Sequence, residues 1–158
     1  MIRDVLLHPH PLLTRRAEPV DPADAEAVVR DLLDTMRSFG HCVGIAAPQI
    51  GAPVRVAVVD CTGHRKAPDA HGELILVNPV IVAAEGSEVG REGCLSIPEL
   101  TANVRRATAV TVEADGVRVE AEGFEARALQ HEIDHLDGLL FLDRVESLEA
   151  DVFQRKRR

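Results

Sequence analysis

Residues Gln130 to Gly138 read Gln-His-Glu-Ile-Asp-His-Leu-Asp-Gly and contain a His-Glu-x-x-His spacing. Positions four apart lie on the same face of an α-helix, about one turn apart, so His131 and His135 can direct their imidazoles at one metal ion. Glu132 follows His131 and can stand beside that ion as a base. The stretch therefore predicts a helix that carries part of a metal site.

The same helix has an inward-facing stripe. Phe124, Ala128, His131 and His135 recur at three- and four-residue spacing, which places them on one side of the helix. The metal-facing side is then expected to look toward the strands of the protein. The predicted fold class is α+β, with antiparallel and mixed β-sheets wrapped around a central helix that carries the His-Glu-x-x-His motif.

The remaining elements are predicted from local signals. Asp21-Pro22 favours a helix start, with Asp21 as the N-cap and Pro22 at the first helical position, and Gly40 ends that helix. Asp115-Gly116 indicates a hairpin turn. Runs rich in β-branched residues predict strands at 54–59, 74–82 and 104–112.

A third metal ligand has to come from elsewhere in the chain, because a catalytic site has three protein ligands and one open position. In chains whose motif continues with a third histidine, that residue would stand where this chain has Phe141. Glu146 and Glu149 follow, but only a short terminal segment remains to hold either. Upstream, Cys94 offers a thiolate, which is a good ligand for zinc or ferrous iron.

Three motifs, taken in order, resemble those of peptide deformylase, the enzyme that removes the formyl group from new bacterial polypeptides. They are GxAAPQxG at 44–51, EGCLS at 92–96 and QHExDHLxG at 130–138. The likeness runs from the His8-Pro9 region to about Arg144. It implies a peptide deformylase-like fold and metal-dependent hydrolysis of N-formyl-methionyl nascent polypeptides, with release of formate.

The resemblance also implies a ligand set and a cofactor. Cys94, His131 and His135 are expected to bind one divalent ion per chain. The family's behaviour points to Fe²⁺ as the physiological ion, with Zn²⁺, Ni²⁺ or Co²⁺ as possible substitutes.

Catalytic roles follow from the same resemblance. Glu132 is expected to act as a base and then as an acid. The Gln49 side-chain amide and the Leu95 backbone N–H are the expected donors to the oxyanion. Gln49 read without the other motifs is instead an amide that pins a glycine-rich turn.

Three further positions are expected to bind substrate. Gly44 and Gly93 lack a Cβ and would let a peptide backbone approach closely. Ile45 would help to line the pocket for the methionine side chain, and a plain core isoleucine is the alternative. The substrate residues implied by the resemblance are therefore Gly44, Ile45 and Gly93.

The chain departs from the family's pattern at two places. Cys42 stands where the family usually has glycine, which concerns the shape of the pocket wall. Thr101 stands at a place that can carry arginine in relatives, so substrate contacts there are expected to differ. The predicted ligand set contains neither residue.

Two other functions compete with deformylation. A His-Glu-x-x-His endopeptidase would cleave internal amides and would not need Cys94. A catalytically silent ribosome-associated binding module would use the basic C-terminal tail, which begins at about residue 154 and contains Arg155, Lys156, Arg157 and Arg158. The tail is otherwise a solvated, frayed terminus.

Composition excludes several classes of protein. At 158 residues and 46% hydrophobic content, the chain predicts a single domain over 1–158. A net charge of −8 argues against DNA binding, and four Phe with no Trp or Tyr argue against base stacking. Three cysteines do not form a disulfide framework and suit a reducing cytoplasm, and no apolar run is long enough to predict a membrane span or signal peptide.

Overall fold

The helix that carries the motif lies at the centre of the fold. In the computed structural model, which describes residues 1–155, it is α2 (Gly123–Leu136), and 11 of its 14 residues are buried, so nearly all of its surface contacts other parts of the chain. A helix that is covered on every side needs packing partners around it. The predicted central helix is therefore confirmed.

Three sheets of three strands surround α2. The first has the order β1 (Gly44–Ala46), β2 (Val56–Asp60) and β3 (Glu73–Val77); the second is β4 (Val80–Glu85), β7 (Ala109–Ala114) and β8 (Val117–Glu122); the third is β5 (Glu88–Cys94), β6 (Ile97–Arg106) and β9 (Val152–Gln154). Every ladder among these strands is antiparallel, and the parallel pairing of the described chain is one bridge between Glu18 and Val54. The α+β class is confirmed, and its sheets are antiparallel rather than mixed.

The first helix starts close to where its sequence signals place it. The Asp21 carboxylate accepts a hydrogen bond from the backbone N–H of Ala23 and caps a 3₁₀ turn at Pro22–Asp24. Helix α1 (Glu26–Ser38) follows and ends two residues before Gly40. Its buried face packs on the first sheet.

Two of the predicted strands are each divided between two sheets. Residues 74–82 contain the end of β3 and the start of β4, separated at Asn78, whose φ of 51° no strand residue adopts. The Asn78 side chain bonds both backbone groups of Val20, which fixes the break. Residues 104–112 are likewise interrupted at Ala107, because its N–H and C=O bond the side chain of Gln130.

The hairpin prediction is confirmed, and three strands, β1, β5 and β9, were not predicted. Asp115-Gly116 joins β7 to β8 with Gly116 at φ 68°, a conformation that glycine adopts without steric cost. Strand β5 escaped the sequence analysis because its residues, Glu-Val-Gly-Arg-Glu-Gly-Cys, include two glycines and three charged side chains. The strand forms because it pairs with β6, although its own residues have a low β propensity.

The buried apolar side chains form several clusters around α2. Val59, Leu76 and Val112 pack with Leu129 and Ile133 of the helix between the first two sheets. On the other side, a cluster under the third sheet includes Cys94, Ile97, Val104 and Phe141. The end of β5 is thus held by apolar contacts to β6 and to the segment that follows α2.

Two predictions concern the ends and the surface of the chain. Of the basic tail, Arg155 is described, whereas Lys156, Arg157 and Arg158 lie outside the described residues. None of the helices within 1–155 combines the length and apolar character that crossing a bilayer requires.

We expect Leu76→Ala to lower the free energy of unfolding by about 2 to 5 kcal/mol, because Leu76 is fully buried and its removal leaves a cavity. The measurement is urea denaturation of the metal-free protein. Leu148→Ala is the matched control, since Leu148 is 70% exposed and its loss should change stability by less than about 0.5 kcal/mol. Equal losses in the two variants would contradict the assigned core.

Candidate metal centre

The predicted ligands come from two elements that meet in the interior. Helix α2 presents His131 and His135 on one face, with ring centroids 5.0 Å apart. Strand β5 ends at Cys94, where its register with β6 shifts between Gly93 and Cys94. The Cys94 Sγ lies 3.4 Å from Nε2 of His135. Residues 41 positions apart in sequence therefore share one site.

The donor atoms have a separation that suits a metal ion. Ligand atoms of Cys94, His131 and His135 all lie within 4.8 Å of one another, and these residues form the single cluster of its kind found in the described chain. With bonds of about 2.3 Å to sulfur and about 2.0 Å to nitrogen, two tetrahedral ligands lie about 3.5 Å apart. The observed 3.4 Å from sulfur to nitrogen fits that geometry.

The orientation of His131 is set by a carboxylate behind it. Nδ1 of His131 lies 2.9 Å from Oε1 of Glu92, which leaves Nε2 to face the cluster. A histidine whose second nitrogen bonds a carboxylate is the usual arrangement of a metal-binding imidazole. For His135, Nδ1 is buried with no partner among residues 1–155. The donor set and its surroundings fit a divalent cation.

Glu92 itself is held by two guanidinium groups. Arg106 donates from Nε at 2.9 Å and from Nη2 at 3.0 Å, and Arg127 donates from Nη1 at 2.7 Å. Burial alone would raise the pKa of Glu92, but the bonds from His131 and Arg106 hold this pKa well below its ordinary value. Glu92 is therefore ionised, and both of its carboxylate oxygens accept hydrogen bonds.

Glu92 forms its ion pair with Arg106, while the neighbouring Arg105 pairs at the surface with Glu146. Asp134 is also buried, and it accepts from Nη1 of Arg106 at 2.5 Å and from Nη2 of Arg144 at 2.9 Å. Each carboxylate of this network thus neutralises cations on two elements.

Arg127 was missed by the sequence analysis. It lies four residues before His131, so one helical face carries both the ligand and the cation that binds the ligand's carboxylate partner. That spacing was the available signal. Its interpretation required the position of β5, which the sequence did not reveal.

The electrostatics of the metal-free cluster favour a thiolate. Burial would raise the pKa of Cys94, but the adjacent imidazoles of His135 and His131 lower this pKa well below its ordinary value. Burial opposes protonation of His131, yet its bonds to Cys94 and Glu92 raise the pKa of His131. The two shifts favour a proton on His131 between two anions, with which a bound metal ion would compete.

The Glu132 carboxyl group is buried and, within the described chain, has a free oxygen. Its Oε1 is buried and unpaired among residues 1–155, and burial raises the pKa of Glu132 even though His131 and His135 oppose this shift. A Cβ on Gly44 would lie 2.8 Å from Oε2 of Glu132. The missing side chain at Gly44 therefore makes room for this carboxylate.

Gln49 pins the turn, as the alternative interpretation of the sequence suggested, and its amide nitrogen lies near the ligand cluster. Its Oε1 accepts from the backbone N–H of Ala46 at 2.9 Å and pins the turn. Its Nε2 donates to Oγ of Ser96 at 3.0 Å and lies 3.6 Å from Sγ of Cys94. One side of the amide is structural, and the other lies beside the ligand cluster.

A cavity of about 1210 Å³ opens onto the cluster. Its walls contain most of the predicted site residues: Gly44, Gln49, Gly93, Cys94, Leu95, His131 and Glu132. Ile45 is placed elsewhere, since it is fully buried in the core with Leu32 and Val56 and does not line the cavity. The core alternative for Ile45 is what the structure shows.

Of the two departures from the family pattern, Cys42 lines the cavity and Thr101 lies in the third sheet beside it. Cys42 lines the wall and donates from Sγ to the Gly44 carbonyl at 3.1 Å, and burial raises the pKa of Cys42 to about 12. A protonated thiol in a hydrogen bond fits packing better than ligation. Thr101 pairs with Gly93 across β5 and β6.

We expect Glu92→Gln to destabilise the metal-free protein by about 3 kcal/mol at pH 7, because the buried Arg127 loses its carboxylate partner and Arg106 keeps only Asp134. Metal affinity should fall about 10- to 100-fold with the loss of the His131 partner. The measurements are urea denaturation and metal titration. Glu146→Gln, at an exposed ion pair, is the matched control and should change neither quantity appreciably.

The same variant has a defined pH dependence. The folded-state pKa of Glu92 is lowered from its ordinary value of 4.5, so its contribution to stability is present above that pH and is lost as the pH falls below it. The stability difference between wild type and Glu92→Gln should therefore shrink in acid. A difference that grew below pH 4.5 would contradict this ionisation state.

Comparison with known proteins agrees with this geometry. Residues 2–151 match the family model described as polypeptide deformylase. The chain is 42% identical to a peptide deformylase of Acidobacterium capsulatum, with 99% of this chain and 94% of that protein covered. It is 38% identical to peptide deformylase 2 of Vibrio cholerae, with coverage of 98% and 93%.

Solved structures show the same fold. A peptide deformylase from Legionella pneumophila superimposes with a TM-score of 0.83 at 38% identity, covering 94% of this chain and 89% of that one. The enzyme from Thermotoga maritima gives a TM-score of 0.81 at 32% identity, with coverage of 93% and 99%. By sequence match, shared architecture and metal-ligand geometry, the chain belongs to the peptide deformylase family.

Proposed function

We propose that this chain hydrolyses the N-terminal formyl group of N-formyl-methionyl nascent polypeptides and releases formate, with the residue roles given below. Members of this family are metal-dependent hydrolases that act on formylated nascent peptides. The observation that carries the proposal is the placement of an unpaired, buried Glu132 carboxylate beside the Cys94, His131 and His135 cluster on the wall of one cavity.

Cys94, His131 and His135 would hold the ion through sulfur and two imidazole nitrogens. When bound, a divalent ion supplies Lewis acidity, which activates water and polarises a carbonyl group. Glu92 keeps His131 in the orientation that ligation needs, and its own charge is retained by Arg106 and Arg127.

Glu132 carries the proton transfers in this proposal. Its free Oε1 accepts a proton from the attacking water, and the same carboxyl group then donates that proton to the nitrogen of the departing amine. The pKa of Glu132 is raised toward neutral pH, which makes its carboxylate a stronger base than that of an exposed glutamate. Gly44 supports this role through the space it leaves for the carboxylate.

Gln49 and Leu95 would stabilise the tetrahedral oxyanion. Nε2 of Gln49 lies 3.6 Å from the Cys94 sulfur, and its Oε1 is fixed by the Ala46 N–H, so the donor is positioned before substrate binds. The Leu95 backbone N–H follows the Cys94 ligand directly and belongs to the cavity wall. Donors held in advance lose little free energy to reorganisation during reaction.

The substrate peptide would lie along β5. Residues 91–95 line the cavity in unbroken succession, and β5 has β6 as its strand partner within the described chain. The opposite edge can therefore bond an extended peptide through main-chain groups, which tolerates varied side chains. Gly93 contributes to this wall, whereas Ile45 acts through the packing beneath it.

Ferrous iron is the proposed physiological ion, with zinc, nickel or cobalt able to take its place. One thiolate and two imidazoles form a donor set that suits zinc or ferrous iron. The cytoplasm is the proposed location, which fits three cysteines that are all free in the structure. Ribosome contact through the basic tail stays a prediction, since residues 156–158 lie outside the described part.

The direct test is formate release from a formyl-methionyl peptide by protein purified without oxygen, with metal analysis of the same samples. We expect activity to track iron content. Glu132→Gln should lower kcat by about 10²- to 10⁴-fold while retaining bound metal, because it removes the proton carrier and none of the ligands. Full activity of Glu132→Gln, or no formate from metal-loaded wild type, would refute the proposal.

Cys94→Ser separates deformylation from the competing functions. A hydroxyl is a poor substitute for a thiolate, so the variant should lose metal affinity and formate release together. An endopeptidase that needs only the two histidines and Glu132 would instead keep cleaving internal amides of an unformylated peptide. A silent binding module would show no turnover in either form, with metal present.

A further inference from the structure

Two guanidinium groups border the cavity on the third sheet, and we propose that they form a carboxylate-binding site for the part of the peptide that follows formyl-methionine. Arg91 belongs to β5, and Arg155 directly follows β9. Both line the same cavity as Cys94. The inference rests on the proposed deformylase function and adds a side-chain preference to it.

The register of the sheet places the two arginines on one face. Gly93 pairs with Thr101, and Thr101 pairs with Phe153, so these three residues form one row across the sheet. Side chains two residues apart along a strand share a face. Arg91 precedes Gly93 by two residues and Arg155 follows Phe153 by two, which places both guanidinium groups on the face that this row presents.

Arg91 is held in place by uncharged groups. Its Nε donates to Oδ1 of Asn103 at 3.1 Å, and its Nη1 donates to Oγ1 of Thr101 at 3.3 Å. The guanidinium carbon lies 3.9 Å from the centroid of the Phe153 ring, in a cation–π contact. These contacts orient the group without neutralising its charge.

Arg155 reaches over the residue next to the Cys94 ligand. Its backbone N–H donates to the Glu99 carbonyl at 2.8 Å, which continues the β6–β9 pairing by one residue. Its guanidinium occupies the space above Gly93, where a Cβ would overlap it. Glycine at 93 therefore admits an arginine side chain to the cavity wall.

The two arginines differ from most arginines of the described chain in having no carboxylate partner. The chain carries a net charge of −8, and ten other arginines, Arg106, Arg127 and Arg105 among them, pair with carboxylates, whereas the exposed Arg15 and Arg65 do not. Among residues 1–155, no carboxylate forms an ion pair with Arg91 or Arg155. Two positive groups thus face the cavity with their charge available to a ligand.

Their distance from the reaction centre indicates which part of the peptide they meet. Gly93 and Arg91 precede Cys94 by one and three residues, or about 3 to 10 Å along an extended strand. A peptide that lies along β5 with its first residue at Cys94 would pass the arginines with its second to fourth residues. A carboxylate there can come from a side chain or from the C-terminus of a short peptide.

The test compares formyl-methionyl tetrapeptides in which glutamate or glutamine occupies the second, third or fourth position, all with amidated C-termini. A further glutamine peptide carries a free C-terminal carboxylate. We expect wild type to show a kcat/KM for formate release about three-fold higher for at least one glutamate peptide than for its glutamine counterpart. The free-acid peptide separates a terminal carboxylate from a side-chain carboxylate, and added salt should weaken the preference.

Variants then assign the preference to the two arginines. Arg155→Ala and Arg91→Ala should each bring the glutamate-to-glutamine ratio close to one, and Arg155→Glu should make a lysine peptide the better substrate. Arg118→Ala is the matched control, because Arg118 is an exposed arginine on β8 that pairs with Glu113 and does not line the cavity. It should keep the wild-type ratio.

Two results would overturn the inference. One is a wild-type ratio of one at every position and for the free acid at low salt. The other is a preference that survives in both Arg155→Ala and Arg91→Ala. If metal-loaded wild type releases no formate from the glutamine peptides either, the proposed function fails and this inference fails with it, which distinguishes that outcome from loss of the preference alone.

Discussion

The buried carboxylate of Glu92 is the constraint on which the rest of the site depends. It lies on β5, accepts bonds from Arg106 on β6, and binds Arg127 and His131 on α2. An isolated charge at this depth would cost several kcal/mol, so all three elements must reach their final positions before the carboxylate is stabilised. Sheet, helix and ligand orientation are therefore parts of one electrostatic arrangement.

That arrangement explains how a site assembled from distant residues can be well defined. His131 and His135 are brought together by helical spacing alone, which is a local property. Cys94 reaches them only because the β5–β6 register shifts at Gly93 and because the strand end packs under Phe141 and Leu13. Helix α2 therefore fixes the orientation of His131 and His135, and the third sheet fixes how close Cys94 lies to them.

Much of the site was predictable because its residues sit in short patterns with a physical meaning. The helix, its two histidines, Glu132 and the candidate thiol follow from spacing and ligand chemistry, and the resemblance joins them with Gln49. The fold class follows from the same motifs. Features that have a short sequence signature can thus be predicted from the chain alone.

What escaped prediction depends on contacts between elements. Strand β5 has too little β-branched character to be recognised, and without it the role of Arg127 could not be inferred. The breaks at Asn78 and Ala107 arise from bonds to Val20 and Gln130, which are far away in sequence. The resemblance assigned Ile45 to the pocket, and only its packing against Leu32 and Val56 shows that it lies in the core.

Gly44 shows that a position without a reactive atom can be as restricted as one that has it. Because the Glu132 side chain is buried and a Cβ would meet three of its atoms at 2.8 to 3.1 Å, even alanine would have to displace the carboxylate or the strand. Substitution of Gly44 would therefore disturb the Glu132 carboxylate, although Gly44 has no reactive atom of its own. The proposed proton transfer thus depends on an empty volume as well as on a carboxylate.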